Sequence, residues 1–277
     1  MVVKIRHESF YLDIRGQRIF VEVDGGGPYM IMTHGLGASS NVFQPLTEIF
    51  SGNYTVVRFD WPGLGMTGLT PGHAPLSVPG FLADLEGVME YLKIEKAVLV
   101  GHSLGGIISM HFAAKHPTRV TALVAIGAGR TRTIEGPSRT ATLAGAKSAR
   151  EIGVWPVVDD KVHLNIPPSS PALARALLRQ MTSSTDPEGY AQVCDSLTDV
   201  SHVDPDYSRI TSPTCVVGSH HDNIAPAEVA QELAELIGKS GRKPYLKLLN
   251  TGHMQIIEDV DGVTEAIRTV LPTGNGV

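Results

Sequence analysis

The stretch that decides the fold lies near the middle of the chain and reads Val98-Leu99-Val100-Gly101-His102-Ser103-Leu104-Gly105-Gly106. An apolar run ends in the pattern Gly-x-Ser-x-Gly, and a helix-like segment of small and apolar residues follows at once. This order predicts a nucleophile elbow, a sharp strand-to-helix turn that exposes a serine hydroxyl. Glycine is expected at 101 and 105, because a Cβ there would collide with the neighbouring element. The pattern alone occurs by chance in about one chain in ten of this length, so the rest of the chain must support it.

The composition is that of an ordinary globular protein. Of the 277 residues, 42% are apolar and 18% are charged, which suits one large α/β domain, alone or with an insertion. The net charge of −5 comes without basic clusters, which argues against a nucleic-acid partner. The first thirteen residues are too charged for a secretory signal, and no apolar run is long enough to span a membrane. Cys194 and Cys215 lie in apolar segments, as buried free thiols do, so we expect a cytoplasmic protein with no membrane partner.

Strand and helix patterns alternate on both sides of the central stretch. Residues 9–15 and 18–23 alternate apolar with polar side chains, which predicts an antiparallel hairpin at a sheet edge. Short apolar runs typical of strands buried on both faces occur at 30–32, 56–59, 97–100, 122–126, 214–218 and 244–249. Helical patterns lie between or after them, at 43–50, 77–92, 106–115, 227–237 and 260–271. The chain therefore predicts an α/β fold with a mostly parallel sheet flanked by helices.

The alternation stops between residue 128 and about residue 208. This segment contains no convincing strand, but helical patterns occur at 138–151, 153–162, 171–181 and 187–197, with prolines near several of their starts. We therefore predict an α/β core made of residues 1–127 and 209–277, interrupted by an all-helical cap over residues 128–208.

A serine nucleophile needs a base, and the base needs an acid to orient it. In the elbow fold the chain order is serine, acid, histidine, with the acid after a late strand and the histidine after the last one. Asp222 follows the strand pattern at 214–218, and His253 follows the pattern at 244–249, each through a short loop. Asp60 is a rival acid, but it precedes the serine in the chain. The sequence thus predicts Ser103, Asp222 and His253 as the catalytic residues.

The same chemistry needs donors for an oxyanion. The run His34-Gly35-Leu36-Gly37 directly follows a strand pattern, where the elbow fold supplies one backbone N–H, and the residue after the nucleophile supplies another. We therefore predict that the N–H groups of Leu36 and Leu104 form the oxyanion hole. His220, His221 and Asp222 are contiguous in a loop and would rarely converge on one ion, so we expect no metal and no other cofactor.

Five landmarks, taken in order, resemble those of the α/β-hydrolase superfamily. They are His34-Gly35-Leu36-Gly37, Asp60-Trp61-Pro62-Gly63-Leu64-Gly65, Gly101-His102-Ser103-Leu104-Gly105-Gly106, residues 218–222, and Gly252-His253. The resemblance covers nearly the whole chain and implies an eight-stranded sheet, a helical cap over residues 128–208 and a triad of Ser103, His253 and Asp222. A serine at 103, where some relatives have aspartate, argues against epoxide hydrolase or haloalkane dehalogenase chemistry.

One segment of the cap suggests a substrate. Residues 185–197 resemble the Pro-Glu-Gly-Tyr-Ala…Cys…Leu cap segment of 3-oxoadipate enol-lactonases, which hydrolyse an enol-lactone in aromatic-ring catabolism. The elbow departs from those enzymes, since His102-Ser103-Leu104 stands where they commonly have Leu-Ser-Met. The resemblance implies a serine hydrolase whose partner is a small lactone or ester, and it leaves a homodimer open.

Four residues are candidates for binding this substrate. A dicarboxylate-type molecule needs a cation, and arginine suits bidentate carboxylate binding, so Arg130 and Arg132 at the start of the cap are candidate anchors. Trp155 is a candidate pocket wall, and Tyr190 belongs to the lactonase-like cap segment. Three alternatives stay open: a carboxylesterase or a lactonase for another substrate, a carbon–carbon bond hydrolase of ring-cleavage products, and a ligand receptor on a hydrolase scaffold.

Overall fold

The computed structural model describes residues 7–130 and 137–271, and it is built on one eight-stranded sheet. The strands stand in the order β1-β2-β4-β3-β5-β6-β7-β8. β1 pairs antiparallel with β2, and β2 pairs antiparallel with β4, whereas all the other neighbours are parallel. Their bounds are β1 His7–Ile14, β2 Gln17–Gly25, β3 Tyr29–Thr33, β4 Thr55–Phe59, β5 Ala97–His102, β6 Val120–Ile126, β7 Thr214–Ser219 and β8 Tyr245–Leu249. The structure confirms the predicted mostly parallel sheet and the hairpin at its edge.

Helices follow the strands as the apolar periodicity predicts. Their bounds are α1 Gln44–Phe50, α2 Val78–Tyr91, α3 Leu104–Lys115, α4 Pro137–Ile152, α5 Trp155–Asn165, α6 Ala172–Ser183, α7 Pro187–Thr198, α8 Ala227–Gly238, α9 Gln255–Glu258 and α10 Val260–Arg268. The sequence did not predict α9, because four residues are too few to show a helical period. This short helix begins two residues after His253 and therefore borders the predicted site.

The core lies on both faces of the parallel strands. Side chains of a strand alternate between faces, and so Leu99 belongs to one buried cluster while Val98 and Val100 belong to the other. Every residue of β5 is buried. The continuous apolar runs of the sequence are explained by this double covering.

The four helices α4 to α7 come between β6 and β7 in the chain, and they contact loops that follow core strands. The hydroxyl of Thr182 donates to the carbonyl of Gly37 at 2.8 Å, and the carbonyl of Asn165 accepts from the N–H of His253 at 2.7 Å. Both contacts involve loops that follow core strands. The division into a core and a cap with limits at 128 and 208 stays a prediction, although helices occupy the segment as expected. Within residues 7–130 and 137–271, no helix has the length and apolar character needed to cross a bilayer.

Candidate active site

Ser103 occupies a strained turn between β5 and α3. Its φ of 52° and ψ of −117° put a non-glycine residue in a region that costs about 1–3 kcal/mol, and such strain is typical of functional sites. The turn is held by two backbone hydrogen bonds, from Ser103 N–H to the carbonyl of Ile126 at 2.9 Å and from Ile107 N–H to the carbonyl of Ser103 at 3.0 Å. The serine side chain is partly exposed, whereas the residues on both sides of it are buried.

The two glycines of the pattern allow this turn to form. A Cβ on Gly101 would lie 2.3 Å from the carbonyl oxygen of Gly105, and a Cβ on Gly105 would lie 2.0 Å from the carbonyl oxygen of Thr33. Both obstacles are backbone atoms, which cannot rotate away as side chains can. The collision expected from the sequence is thus present at both positions.

Gly105→Ala is expected to lower the free energy of unfolding by about 3 kcal/mol or more, because the methyl group would force β3 and α3 apart. Gly68→Ala is a matched control, since a Cβ at the exposed Gly68 would meet nothing within 4 Å. Urea unfolding followed by circular dichroism measures both variants. Equal midpoints for the two alanine variants would contradict the role given to Gly105.

The structure brings Ser103, His253 and Asp222 together, although they come from three different loops. His253 Nε2 lies 3.1 Å from Ser103 Oγ, and His253 Nδ1 lies 2.8 Å from Asp222 Oδ2. Both His253 and Asp222 are 4% exposed. In this arrangement the imidazole can take the hydroxyl proton on one nitrogen while the carboxylate holds the proton on the other.

The charge of Asp222 is maintained by its surroundings. Burial alone would raise the pKa of this carboxyl, but His253 and two backbone donors outweigh burial and hold the pKa below its ordinary value. Those donors are the N–H groups of Ile224 and Ala225, both 2.8 Å from Oδ1, and the Gln255 side-chain amide donates to Oδ2 at 3.2 Å. Asp222 therefore stays ionised at neutral pH.

His102, which the sequence left without a role, holds the backbone of His253. Burial, together with the neighbouring His253 ring, lowers the pKa of His102 to about 3, so its imidazole is neutral. Its Nε2 therefore donates a hydrogen bond to the carbonyl of His253 at 2.7 Å. Because Asn165 accepts from the His253 N–H, both backbone polar groups of His253 are fixed. These partners are far from His253 in the sequence, so no local pattern could reveal them.

The loop after β3 lies directly against the serine. A Cβ on Gly35 would be 2.7 Å from Ser103 Cβ and 3.2 Å from Ser103 Oγ. The loop is held at His34, whose carbonyl accepts from Gly105 N–H at 3.1 Å and from the indole N–H of Trp61 at 2.9 Å. Among the residues described, no protein group accepts a hydrogen bond from the N–H of Leu36 or Leu104. Both are therefore available to an oxyanion beside Ser103.

Asp60, the rival acid, has a different place in the structure. Its Oδ1 accepts from Ser40 N–H at 2.6 Å, and its Oδ2 accepts from Met66 N–H at 2.7 Å. The ring of His34 lies 3.4 Å from the same carboxylate. Burial opposes ionisation, but His34 and these N–H groups hold the pKa of Asp60 below its ordinary value. Asp60 thus organises the loops around residues 34–37, whereas Asp222 contacts His253.

The structure describes the surroundings of two suggested substrate contacts, Arg130 and Trp155. Arg130 is paired with the carboxylates of Asp204, at 2.9 Å, and Glu232, which leaves it poorly suited to bind a substrate anion. Trp155 is 60% exposed at the start of α5, so its role as a pocket wall stays a prediction. Sequence reasoning could foresee neither result, because pairing and exposure depend on where the helices pack. Arg132 lies outside the described residues.

Tyr190, in contrast, is buried beside residues 34–37, the predicted oxyanion loop. It lies on α7, and a Cβ on Gly37 would be 3.5 Å from its ring. The side chain of Leu36 packs against the buried cluster that contains this ring. Burial raises the pKa of Tyr190 well above its ordinary value, and the neighbouring Cys194 acts in the same direction. Cys194 and Cys215 are both free and buried, as the sequence predicts.

Comparison with known proteins agrees with this fold. A family model described as alpha/beta hydrolase fold matches residues 28–146, which include the oxyanion loop and the elbow. The match covers 119 of the 277 residues, and together with the eight-stranded sheet it shows that the chain has the α/β-hydrolase fold.

Distant hydrolases are similar to most of the chain. The chain is 25% identical over 252 residues to 3-oxoadipate enol-lactonase 2 of Acinetobacter baylyi, covering 90% of each chain. It is also 25% identical over 262 residues to the pimeloyl-[acyl-carrier protein] methyl ester esterase of Xylella fastidiosa, covering 92% of this chain and 99% of the relative. The crystal structure of the enol-lactonase from Burkholderia xenovorans LB400 superposes with a TM-score of 0.83 at 23% identity, over 94% of this chain and 98% of that one. At that identity the superposition establishes the shared fold.

Proposed function

We propose that this protein is a serine hydrolase that cleaves a small lactone, with an enol-lactone of the 3-oxoadipate type as the best-supported substrate. The observation that carries the proposal is the hydrogen-bonded series of Ser103, His253 and Asp222, with 3.1 Å and 2.8 Å between the contacting atoms. The strained backbone at Ser103 and the two unpaired N–H groups beside it support the same chemistry.

The reaction has two halves in this proposal. Ser103 Oγ attacks the lactone carbonyl while His253 Nε2 accepts the hydroxyl proton, and the N–H groups of Leu36 and Leu104 bind the oxyanion. The ring C–O bond then breaks, and the departing enol oxygen takes the proton from His253. It remains attached to the acyl group, because leaving group and acyl group are one molecule. Water, deprotonated by His253, then releases the acid and restores Ser103.

An enol-lactone suits this site because an enolate is a better leaving group than an alkoxide. A positioned histidine accelerates such a step by about 10²–10⁴-fold, and departure of the ring oxygen therefore needs little further acid catalysis. The distant likeness to an enol-lactonase over 90% of the chain supports the same substrate class.

A carboxylesterase is the second candidate function. The methyl ester esterase relative is as similar to this chain as the enol-lactonase, at 25% identity. Ester hydrolysis by this protein would use the same Ser103, His253 and Asp222. The two candidates differ in the leaving group, which remains on the acyl chain in a lactone and diffuses away from an open ester.

A substrate panel tests the proposal. The purified protein is assayed with 3-oxoadipate enol-lactone, its neutral analogue α-angelica lactone, a methyl ester and p-nitrophenyl butyrate, and is labelled separately with a fluorophosphonate. We expect lactone turnover and a label on the peptide that contains Ser103. Turnover of the esters alone would favour the carboxylesterase. Failure on every substrate, with no label on Ser103, would refute the serine hydrolase.

A further inference from the structure

Lys161 lies on the inward face of α5, the helix that contacts the loop of His253. The buried residues of this helix recur at the spacing of one helical face, and Lys161 falls among them, next to Val162 and one turn before Asn165. The remaining members of that face are Val157 and Val158, and the exposed face carries Asp159, Asp160, His163 and Leu164. A lysine on the apolar face of an amphipathic helix needs a reason, since the solvent face is its usual place.

The neighbours of Lys161 connect it to the proposed reaction centre. Its Nζ lies 5.1 Å from the centroid of the Tyr190 ring, and that ring lies 3.5 Å from the position that a Cβ on Gly37 would take. One turn further along α5, the carbonyl of Asn165 accepts from the N–H of His253. Lys161 is thus flanked by contacts to both the oxyanion loop and the loop of the proposed base. The residue as a whole is only partly buried, so part of its side chain borders solvent.

The charge of Lys161 has no protein counterion among the described residues. Arg150 and Arg179 of these helices are paired with carboxylates, Arg150 with Glu188 and Asp195, and Arg179 with Asp159. Arg139 and Arg175 donate to backbone carbonyls instead. Burial lowers the pKa of the Lys161 amine, and the nearby Cys194 only partly opposes this effect. An ammonium held away from water without a carboxylate is costly, and a bound anion would remove much of that cost.

We propose that Lys161 binds a carboxylate on the substrate, so that the protein acts on lactones or esters carrying a second, anionic carboxylate. This inference rests on the proposed function. The ammonium would donate to the carboxylate oxygens while the face of the Tyr190 ring supports the cation from the other side. Arginine was the expected residue type for this task, but Arg130 is already paired with protein carboxylates.

The matched lactone pair of the substrate panel tests this proposal. 3-Oxoadipate enol-lactone carries a carboxymethyl group where α-angelica lactone carries a methyl group, so the ratio of their kcat/KM values isolates the carboxylate. Lys161→Met keeps most of the length of the apolar stem and removes the charge. We expect it to lower the anionic-to-neutral ratio by about 10- to 100-fold, the value of a lost hydrogen bond to a charged group. Lys161→Gln serves as a second variant with the same expected result.

Lys147→Met is the control, because Lys147 is an exposed lysine of α4 that pairs only with Glu151. Its ratio should match that of the unmodified protein. An unchanged ratio in both Lys161 variants would overturn the proposal, and so would an equal loss with the two lactones, which indicates a structural role.

A binding measurement separates this proposal from the proposed reaction. Calorimetric titration with adipate, a diacid that mimics the hydrolysis product, uses the Ser103→Ala protein with and without Lys161→Met. We expect the second change to weaken adipate binding by about 10- to 100-fold. Adipate binding that depends on Lys161, in a protein that cleaves no lactone, would uphold the lysine site and overturn the reaction. Lactone turnover together with adipate binding that Lys161→Met leaves unchanged would uphold the reaction and overturn the lysine site.

Discussion

Ser103→Ala is expected to lower kcat for the lactone by about a million-fold, close to the loss seen when the nucleophile of a serine hydrolase triad is removed. The loss is so large because the other members of the site cannot act without it. With the hydroxyl gone, His253 has no nucleophile to deprotonate, and no acyl-enzyme forms. The N–H groups of Leu36 and Leu104 remain, so a residual acceleration of about 10³–10⁴-fold over water is expected.

The same variant should keep its fold and its affinity for ligand. Removing one oxygen from the strained, partly exposed serine leaves the hydrogen bonds of its backbone to Ile126 and Ile107 in place. Ser109→Ala is the control, since Ser109 is a buried serine of α3 whose hydroxyl lies 3.4 Å from that of Thr33 and contacts neither His253 nor Asp222. Steady-state kinetics and circular dichroism decide the outcome. A loss of less than about 100-fold in Ser103→Ala would exclude Ser103 as the nucleophile.

Much of the fold could be predicted from the sequence because its signals are local. Apolar runs identify the strands of a sheet covered on both faces, and the period of 3.6 identifies the helices between β6 and β7. The elbow could be predicted because the turn leaves no room for a Cβ at 101 and 105, and the glycines at these positions are visible in the sequence pattern. The proximity of the loops of Asp222 and His253 could be predicted, since the carboxyl ends of parallel strands share one edge of the sheet.

The parts that could not be predicted depend on side chains far apart in the sequence. The hydrogen bond from His102 to the backbone of His253 links residues 151 positions apart, and the ion pair from Arg130 to Glu232 links residues 102 apart. Helical periodicity could have indicated that Lys161 belongs to the inward face of α5. Only the packing of α5 beside Tyr190 and the His253 loop shows which residues surround that face.

Asp222→Asn is expected to lower kcat by about 10⁴-fold while leaving the fold intact, as in other triads where the acid becomes an amide. The hydrogen bonds around Asp222 explain this result. The asparagine Oδ1 can still accept from the N–H groups of Ile224 and Ala225, which directs its NH₂ group at His253 Nδ1. That nitrogen must then accept, so the ring proton moves to Nε2. A protonated Nε2 facing Ser103 Oγ cannot take the hydroxyl proton.

Gln255 would help to fix the wrong tautomer in this variant. Its Nε2 donates to Asp222 Oδ2, while its buried Oε1 finds no hydrogen-bond partner among the described residues. Rotation of this amide by 180° would offer Oε1 to the new NH₂ group of residue 222, so the altered network would be well satisfied. We therefore expect the loss to appear in kcat, with KM and the unfolding midpoint near those of the unmodified protein.

Asp60→Asn is the matched control, because the rival acid receives the same change of one oxygen to nitrogen. Asp60 accepts from Ser40 and Met66 and lies beside His34, so its replacement is expected to cost about 1–3 kcal/mol of stability. It does not contact His253, and kcat should therefore fall far less than in Asp222→Asn. Kinetics at pH 7 and urea unfolding of both variants separate the two acids. A loss of kcat in Asp60→Asn equal to that in Asp222→Asn would make Asp60 the orienting acid, since only a group that controls the His253 tautomer can impose such a loss on an intact fold.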